Sequence, residues 1–339
     1  MAEMRAPMAD SSTKAGLAPD ACIREVGLRD GLQSIGRFMP TSQKKEWINR
    51  CAMAGFREIE VCAFVPEKYI PQFRDAEELA RHAASRPGII SSALVPNLRG
   101  AERALAAGIG KLVCIISATE RFSQANLRRS KAQSIAELRS IVRLRDEHAQ
   151  RGRRATIQVG VSVAFGCPFE GTVPDRDVCA AAFSAVEAGA DEISLADTAG
   201  QGDPATVERV FAALSRDLAG IPLGAHFHDT RGIGLANALA ALRAGVRYFD
   251  ASIGGLGGCP NAPGATGNIA TEDLVFMLEA MGLDTGIGMD WLLEMRSFVA
   301  DQLPELRLSG HLGHAGLPKG FIQANHRGES DDDPRLSPA

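Results

Sequence analysis

The sequence predicts an α/β protein built as a (β/α)8 barrel of the TIM-barrel class with a short C-terminal helical extension, on three observations. Short apolar β-rich runs alternate with longer amphipathic runs along the middle of the chain. Eight such pairs fit into roughly 260 residues, the count and length of a (β/α)8 barrel. Polar residues able to do chemistry gather just after the β-rich runs, where barrels of this class place their active sites.

The candidate strands are residues 22–26, 58–61, 89–95, 111–116, 155–161, 192–195, 223–227 and 248–253. Each is short and apolar, as strands covered on both faces should be. Amphipathic runs at 42–54, 134–150, 174–188 and 235–244 read as helices. In the second of these, Ile135, Leu138, Ile141, Val142 and Leu144 fall near helical spacing. Gly55, Gly189 and Gly245 suit C-terminal caps, and Pro174 suits a first helical turn. A doubly wound open sheet is the structural rival, but it ordinarily carries a glycine-rich phosphate loop after an early strand, and none occurs there.

Residues 1–20, rich in Ala and Ser with Glu3, Asp10 and Asp20 among them, read as a disordered tail. They lack the apolar core of a secretory signal and the Arg-rich, acid-poor character of a transit peptide. The barrel is assigned to 21–286 and the extension, with a helix near 290–302, to 287–325. Residues 326–339 contain Glu329, Asp331, Asp332 and Asp333 and read as a second tail.

The 339 residues are 45% hydrophobic and 23% charged, as expected for a globular chain with a sizeable core. A net charge of −4 offers no basic field for nucleic acid or an anionic membrane. No apolar run approaches the roughly 20 residues that cross a bilayer. The seven cysteines are widely spaced without a C-x-x-C, which argues for a reducing, cytoplasmic setting.

Arg29 and Asp30 follow the first candidate strand, Glu60 lies near the end of the second and Asp197 follows the sixth. His226 and His228 end the seventh, while Cys259 and Asn268 lie in or after the loop beyond the eighth. Alternate strand residues share a face, so both imidazoles can point into the barrel mouth. They are either paired ligands or two ordinary strand-end histidines. With Asp30 as an oxygen donor, the mixed set suits Mg²⁺ or Mn²⁺ better than a closed zinc site. Asn268 is a further oxygen ligand or an N-cap for a helix beginning near Thr271.

Gly254-Gly255-Leu256-Gly257-Gly258-Cys259-Pro260 is a glycine-rich run that can approach a ligand closely or move as a lid. A cysteine at its tip is a poor core residue and a plausible acid or nucleophile. Arg29 can stabilise an oxyanion or close the barrel end in a salt bridge. Asp197 is a general base or a turn residue ahead of Thr198. His82 and His148 sit in helix-like stretches and are expected to face solvent; His311 and His314 receive no role.

Together the segments V-G-L-R-D-G-L-Q at 26–33, P-N-L-R-G at 96–100, F-G-C-P-F-E-G at 165–171, S-L-A-D-T-A-G at 194–200, H-F-H-D-T-R-G at 226–232 and G-L-G-G-C-P-N-A-P-G-A-T-G-N-I-A-T-E-D at 255–273 resemble the 3-hydroxy-3-methylglutaryl-CoA lyases. These belong with the wider metal-dependent aldolase and lyase barrels related to isopropylmalate synthase. The resemblance implies Asp30, His226, His228 and Asn268 as ligands of Mg²⁺ or Mn²⁺. It implies Arg29 as the enolate stabiliser, Asp197 and His226 as handlers of the hydroxyl proton, and Cys259 as an acid. Gln33, Glu60 and Thr198 would serve the substrate side of the site. The implied substrate is an acyl-CoA thioester, the assembly a homodimer and the setting leucine catabolism.

Condensing relatives usually carry G-E-R-x-G-N where this chain has G-G-C-P, which favours cleavage. Citramalyl-CoA and longer-branched 3-hydroxyglutaryl-CoA thioesters are the rival substrates. The chain departs from the family at Ala63, where a Ser is usual, and at Gln158-Val159-Gly160, where Arg-Gly-Tyr is usual. Ala63, Gln158 and Gly160 are expected to line the substrate pocket and to alter its preference.

Overall fold

The computed structural model describes residues 19–150, 152, 154–258 and 267–324. Eight parallel strands close a barrel in chain order: β1 (Cys22–Glu25), β2 (Glu58–Ala63), β3 (Ile90–Leu94), β4 (Lys111–Ser117), β5 (Thr156–Ser162), β6 (Glu192–Asp197), β7 (Leu223–Phe227) and β8 (Tyr248–Ala251). All eight expected runs overlap these strands, and the seventh coincides with β7. The last was drawn too long because Ser252 leads into a 3-10 turn at Ile253–Gly255. The expected tails lie outside the described residues, apart from 19 and 20.

The helices are α1 (Thr41–Ala54), α2 (Ala76–Ala84), α3 (Leu98–Ala106), α4 (Glu120–Leu127), α5 (Lys131–Ala149), α6 (Asp175–Glu187), α7 (Pro204–Asp217), α8 (Gly234–Arg243), α9 (Thr271–Ala280), α10 (Met289–Gln302) and α11 (Leu312–Ala315). Their starts follow local chemistry. Asn97 accepts from Gly100 N at the head of α3, and Asp203 accepts from Ala205 N and Thr206 N ahead of Pro204 in α7. None of the described helices is long and apolar enough to cross a membrane. His82 and His148 are half-buried rather than fully solvent-facing, and His82 Nε2 pairs with Asn49 Oδ1 at 3.0 Å.

Alternation along the strands sorts the residues. Ile59, Val61, Ile157, Val159, Ile193, Leu195, Ala225, Phe227 and Phe249 are fully buried among the hydrophobic core residues. Arg24, Glu58, Lys111, Glu192 and Asp250 meet inside the barrel. Lys111 Nζ lies 2.6 Å from Glu58 Oε2 and 2.9 Å from Glu192 Oε2. Arg24 pairs with Glu192, with Glu58 at 3.5 Å and with Asp250 Oδ1 at 3.4 Å.

The extension grips the root of the glycine-rich run. Ser309 N donates to Gly254 O at 2.7 Å, and Arg296 Nη1 donates to Ser309 O at 2.7 Å and pairs with Glu272. Asp273 accepts from the backbone N–H groups of His311 and Leu312, which ties the segment carrying His311 and His314 to α9.

On the other side of the β1–β8 seam, Glu25 accepts from Gly27 N, Ile253 N and Thr271 Oγ1. Burial pushes its carboxyl up from the ordinary 4.5 to about 8, against the lowering effect of those donors. A raised carboxyl binds its proton more tightly when folded. Its contribution to stability is therefore full below the unfolded value and is lost as pH rises through about 8. Glu25→Gln is expected to flatten the fall in Tm across that window, as read by thermal melts from pH 4 to 9; a slope identical to the parent's would refute the assignment.

Candidate metal and substrate site

β1 ends in a single wide turn, Gly27–Gly31, that holds Arg29 and Asp30 against the barrel mouth. β7 brings His226 and His228 to the same place, and an isolated bridge pairs His228 with Asn268. Donor atoms of Asp30, His226 and His228 all lie within 4.8 Å of one another. His226 Nε2 and His228 Nε2 are 3.2 Å apart, and Asp30 Oδ2 lies 4.0 Å and 3.5 Å from them.

Asn268 completes the cluster. Its Nδ2 donates to Asp30 Oδ2 at 2.8 Å and to Leu256 O at 2.9 Å. Its Oδ1 is buried with no partner among the described residues. The N-cap alternative fails, because the residue at the head of α9 is Ala270 and no side chain caps it. Gly257, at φ 125°, passes directly over the cluster: a Cβ there would come to 2.6 Å from Asn268 Nδ2 and 3.2 Å from Asp30 Oδ2. The glycine-rich run thus begins in contact with the site. Cys259 lies outside the described residues.

One carboxylate, two facing imidazole nitrogens and an orphaned amide oxygen form a donor set that fits a divalent cation. The charges agree. Arg24, Arg29 and Lys111 face Asp30, Glu58, Glu60, Glu192 and Asp250 in one linked set, three cations against five carboxylates. With both imidazoles neutral and every carboxylate ionised, that set has an excess of two negative charges, which a divalent ion would neutralise.

Arg29 is the local cation. Nη1 lies 2.5 Å from Asp30 Oδ1 and Nε lies 2.7 Å from Glu60 Oε2. Burial alone would raise the Asp30 carboxyl, but Arg29 and His228 outweigh it and hold it below the carboxylate range. Glu60 goes the other way: burial lifts it to about 7, although Arg29 opposes the shift. Gln33 Nε2 donates to Asp30 Oδ1 at 2.9 Å and so orients the carboxylate.

Asp250 is the residue that sequence reasoning missed. Its Oδ2 lies 3.2 Å from His226 Nδ1, and its Oδ1 faces Arg24. Burial opposes an imidazolium at His226, yet the bond to Asp250 and the charge of Asp30 leave it raised. With Nδ1 engaged by Asp250, Nε2 is the nitrogen turned to the cluster. Its place opposite His226 comes from the pairing of β8 with β7.

A cavity of about 340 Å³ opens beside the cluster. Arg29, Asp30, Gln33, Glu60, Thr198, His226 and His228 line it. Asp197 is not part of this wall: its Oδ1 and Oδ2 accept from Gln201 N at 2.8 Å and Gly202 N at 3.0 Å. These bonds show its role in the turn, and the charge of His228 acts on it as well. Thr198 Oγ1 accepts from Val163 N at 3.0 Å, which steadies the same loop. Gln158 and Gly160 line the cavity as expected, whereas Ala63 is fully buried and does not.

The chain matches the HMGL-like family model over residues 21–299. It is 40% identical over 281 residues to the hydroxymethylglutaryl-CoA lyase YngG of Bacillus subtilis, covering 83% of this chain and 92% of that one. It is 39% identical to the human mitochondrial hydroxymethylglutaryl-CoA lyase, covering 83% and 85%. A solved HMG-CoA lyase from Acinetobacter baumannii, in complex with coenzyme A and 3-methylmalate, superposes with a TM-score of 0.83 at 39% identity, covering 89% and 97%. With the fold, the donor cluster and these likenesses in agreement, the chain belongs to the HMGL-like family of lyases.

Proposed function

We propose that the protein cleaves 3-hydroxy-3-methylglutaryl-CoA into acetyl-CoA and acetoacetate. The observation that carries this is the convergence of Asp30, His226 and His228 beside Arg29 on one cavity wall, in a chain about 40% identical to lyases of that name. Mg²⁺ or Mn²⁺, held by Asp30, His226, His228 and Asn268, would serve as a Lewis acid that lowers the pKa of the substrate's tertiary hydroxyl.

The residues divide the remaining work. His226 has one nitrogen free of Asp250, Nε2, which would hold the ion or accept the hydroxyl proton. One nitrogen cannot do both at once, so these roles are successive. Asp197 holds the 198–202 loop through Gln201 N and Gly202 N and, as a carboxylate within the field of His228, would be the other acceptor for that proton. The alkoxide collapses to a ketone, the C2–C3 bond breaks, and its electron pair passes into the acetyl-CoA enolate. Arg29 stabilises the enolate oxygen from the cavity wall, positioned by Glu60. Cys259 protonates the enolate carbon. We place the enzyme in the cytoplasm as a homodimer; the six described cysteines are all free thiols, which supports a reducing setting.

A direct assay tests the reading: coupled detection of acetyl-CoA and acetoacetate from 3-hydroxy-3-methylglutaryl-CoA, with no cleavage as the refuting result. Citramalyl-CoA is the rival substrate that the same assay separates. Pyruvate instead of acetoacetate as the better product would select it.

Two substitutions probe the roles. Asp250→Asn is expected to weaken divalent-ion affinity by about 10–100-fold, the usual cost of losing the group that orients a ligating histidine. Calorimetric titration reads this without turnover, and unchanged affinity would remove Asp250 from the site. Cys259→Ser keeps the size of the side chain but is a much weaker acid. It should lose most turnover while retaining the parent's metal affinity, and near-normal turnover would eliminate the acid role.

A further inference from the structure

Gly160 sits on β5 at the register of Ile115 on β4 and Ser194 on β6, and all three line the cavity. Its φ lies outside the left-handed region, so the backbone does not call for glycine. A Cβ would meet only Cys114 O at 3.8 Å and Ile115 Cγ1 at 4.0 Å, which is ordinary contact. Gly224 on β7 is the contrast: a Cβ there would come to 3.0 Å from Arg24 Nη1 and 3.2 Å from Ser194 Oγ, so protein fills its missing side chain. Glycine inside a strand weakens it and commonly marks a close approach by something else.

Barrel interiors are ordinarily filled by layers of bulky side chains. Here the small residues Ser92, Gly160 and Ser194 leave the interior hollow, and the cavity runs from Arg29 and His228 down to Arg24 and Glu58. Ser194 is 2% exposed, and its Oγ has no partner among the described residues.

We propose that the space left open by Gly160 is the subsite for the C3 branch of the substrate, and that it takes an uncharged, largely apolar branch longer than methyl. This rests on the lyase reading above. C3 of such a substrate carries a hydroxyl, a thioester arm, a carboxymethyl arm and a branch. The hydroxyl belongs at the donor cluster, and the thioester arm with its bulky coenzyme must leave through the barrel mouth. The interior below holds Glu58, Glu192 and Asp250 against Arg24 and Lys111, an excess of negative charge that repels the carboxylate arm. The uncharged branch is the arm that remains, and Leu94, Val113 and Ile115 give it an apolar wall.

The test is kcat/KM for 3-hydroxy-3-methyl-, ethyl- and propylglutaryl-CoA in the parent, in Gly160→Ala and in Gly160→Leu. Each added methylene is expected to raise kcat/KM about fourfold in the parent, the worth of burying one CH2. Gly160→Leu should lower the propyl-to-methyl ratio by about 100-fold and Gly160→Ala by less, since a filled pocket rejects added carbons. The alanine variant keeps the test open if the leucine variant does not fold. Efficient cleavage of the methyl substrate with kcat/KM falling at each added carbon in the parent would overturn the subsite alone. A ratio unmoved by both substitutions would do the same. No cleavage of any member would overturn the lyase reading and the subsite with it.

Discussion

Dialysis against a chelator is expected to take cleavage below detection, and Mg²⁺ or Mn²⁺ to restore it. The expectation follows from the hydroxyl. A tertiary alcohol is far too weak an acid to lose its proton to an imidazole near neutral pH, and a bound divalent ion is what narrows that gap. The site is arranged to take such an ion, because its linked groups hold two more negative charges than positive ones when the imidazoles are neutral and the carboxylates ionised. His228→Ala should weaken ion binding, measured by calorimetry, and lose turnover in parallel. Full activity in metal-free protein is the result that rules the mechanism out. An ion-binding isotherm unchanged by His228→Ala would remove that residue from the ligand set.

Arg29→Gln is expected to lower kcat by about 10²–10³-fold with a smaller change in KM, because the charge it meets develops only as the C–C bond breaks. The substitution also leaves Asp30 and Glu60 without their cation. Removing one partner of a buried pair commonly costs about 3–5 kcal/mol, so a lower Tm will accompany the kinetic loss. Metal affinity separates the two effects. Loss of a positive charge beside Asp30 should leave divalent-ion affinity equal to the parent's or higher. A variant with kcat intact and only KM raised would contradict the enolate role. One that binds no metal would show that Arg29 builds the site.

The strands were legible because a strand covered on both faces is a short apolar run, and residues 223–227 matched β7 end to end. His226 and His228 were legible because alternate strand residues share a face. Asp250 was not, because one acidic residue in a strand carries no mark of its register; only pairing β7 with β8 sets it opposite His226. Asp197 was legible as the end of β6, but its bonds to Gln201 N and Gly202 N were not, because they depend on how the following loop folds back. Ala63 follows an irregularity in the pairing of β2 with β3 between Glu60 and Cys62, which no period-2 count foresees. The two alternatives left open for Asn268 needed the position of Ala270 at the head of α9 to separate them.

The ring of charges inside the barrel bears on how the chain matures. Arg24 comes from β1 and meets Asp250 from β8, 226 residues later. At about 5–20 residues per second, a ribosome leaves the open side of β1 waiting roughly 10–45 s for its second neighbour. During that interval Arg24, Glu58, Lys111 and Glu192, from β1, β2, β4 and β6, can already pair with one another. What they lack is Asp250, which arrives only with β8 and also holds His226 Nδ1. A nascent chain stopped short of residue 251 therefore keeps an unpaired edge on β1 and an unsupported His226, and it should be cleared by proteolysis instead of persisting as a half-barrel.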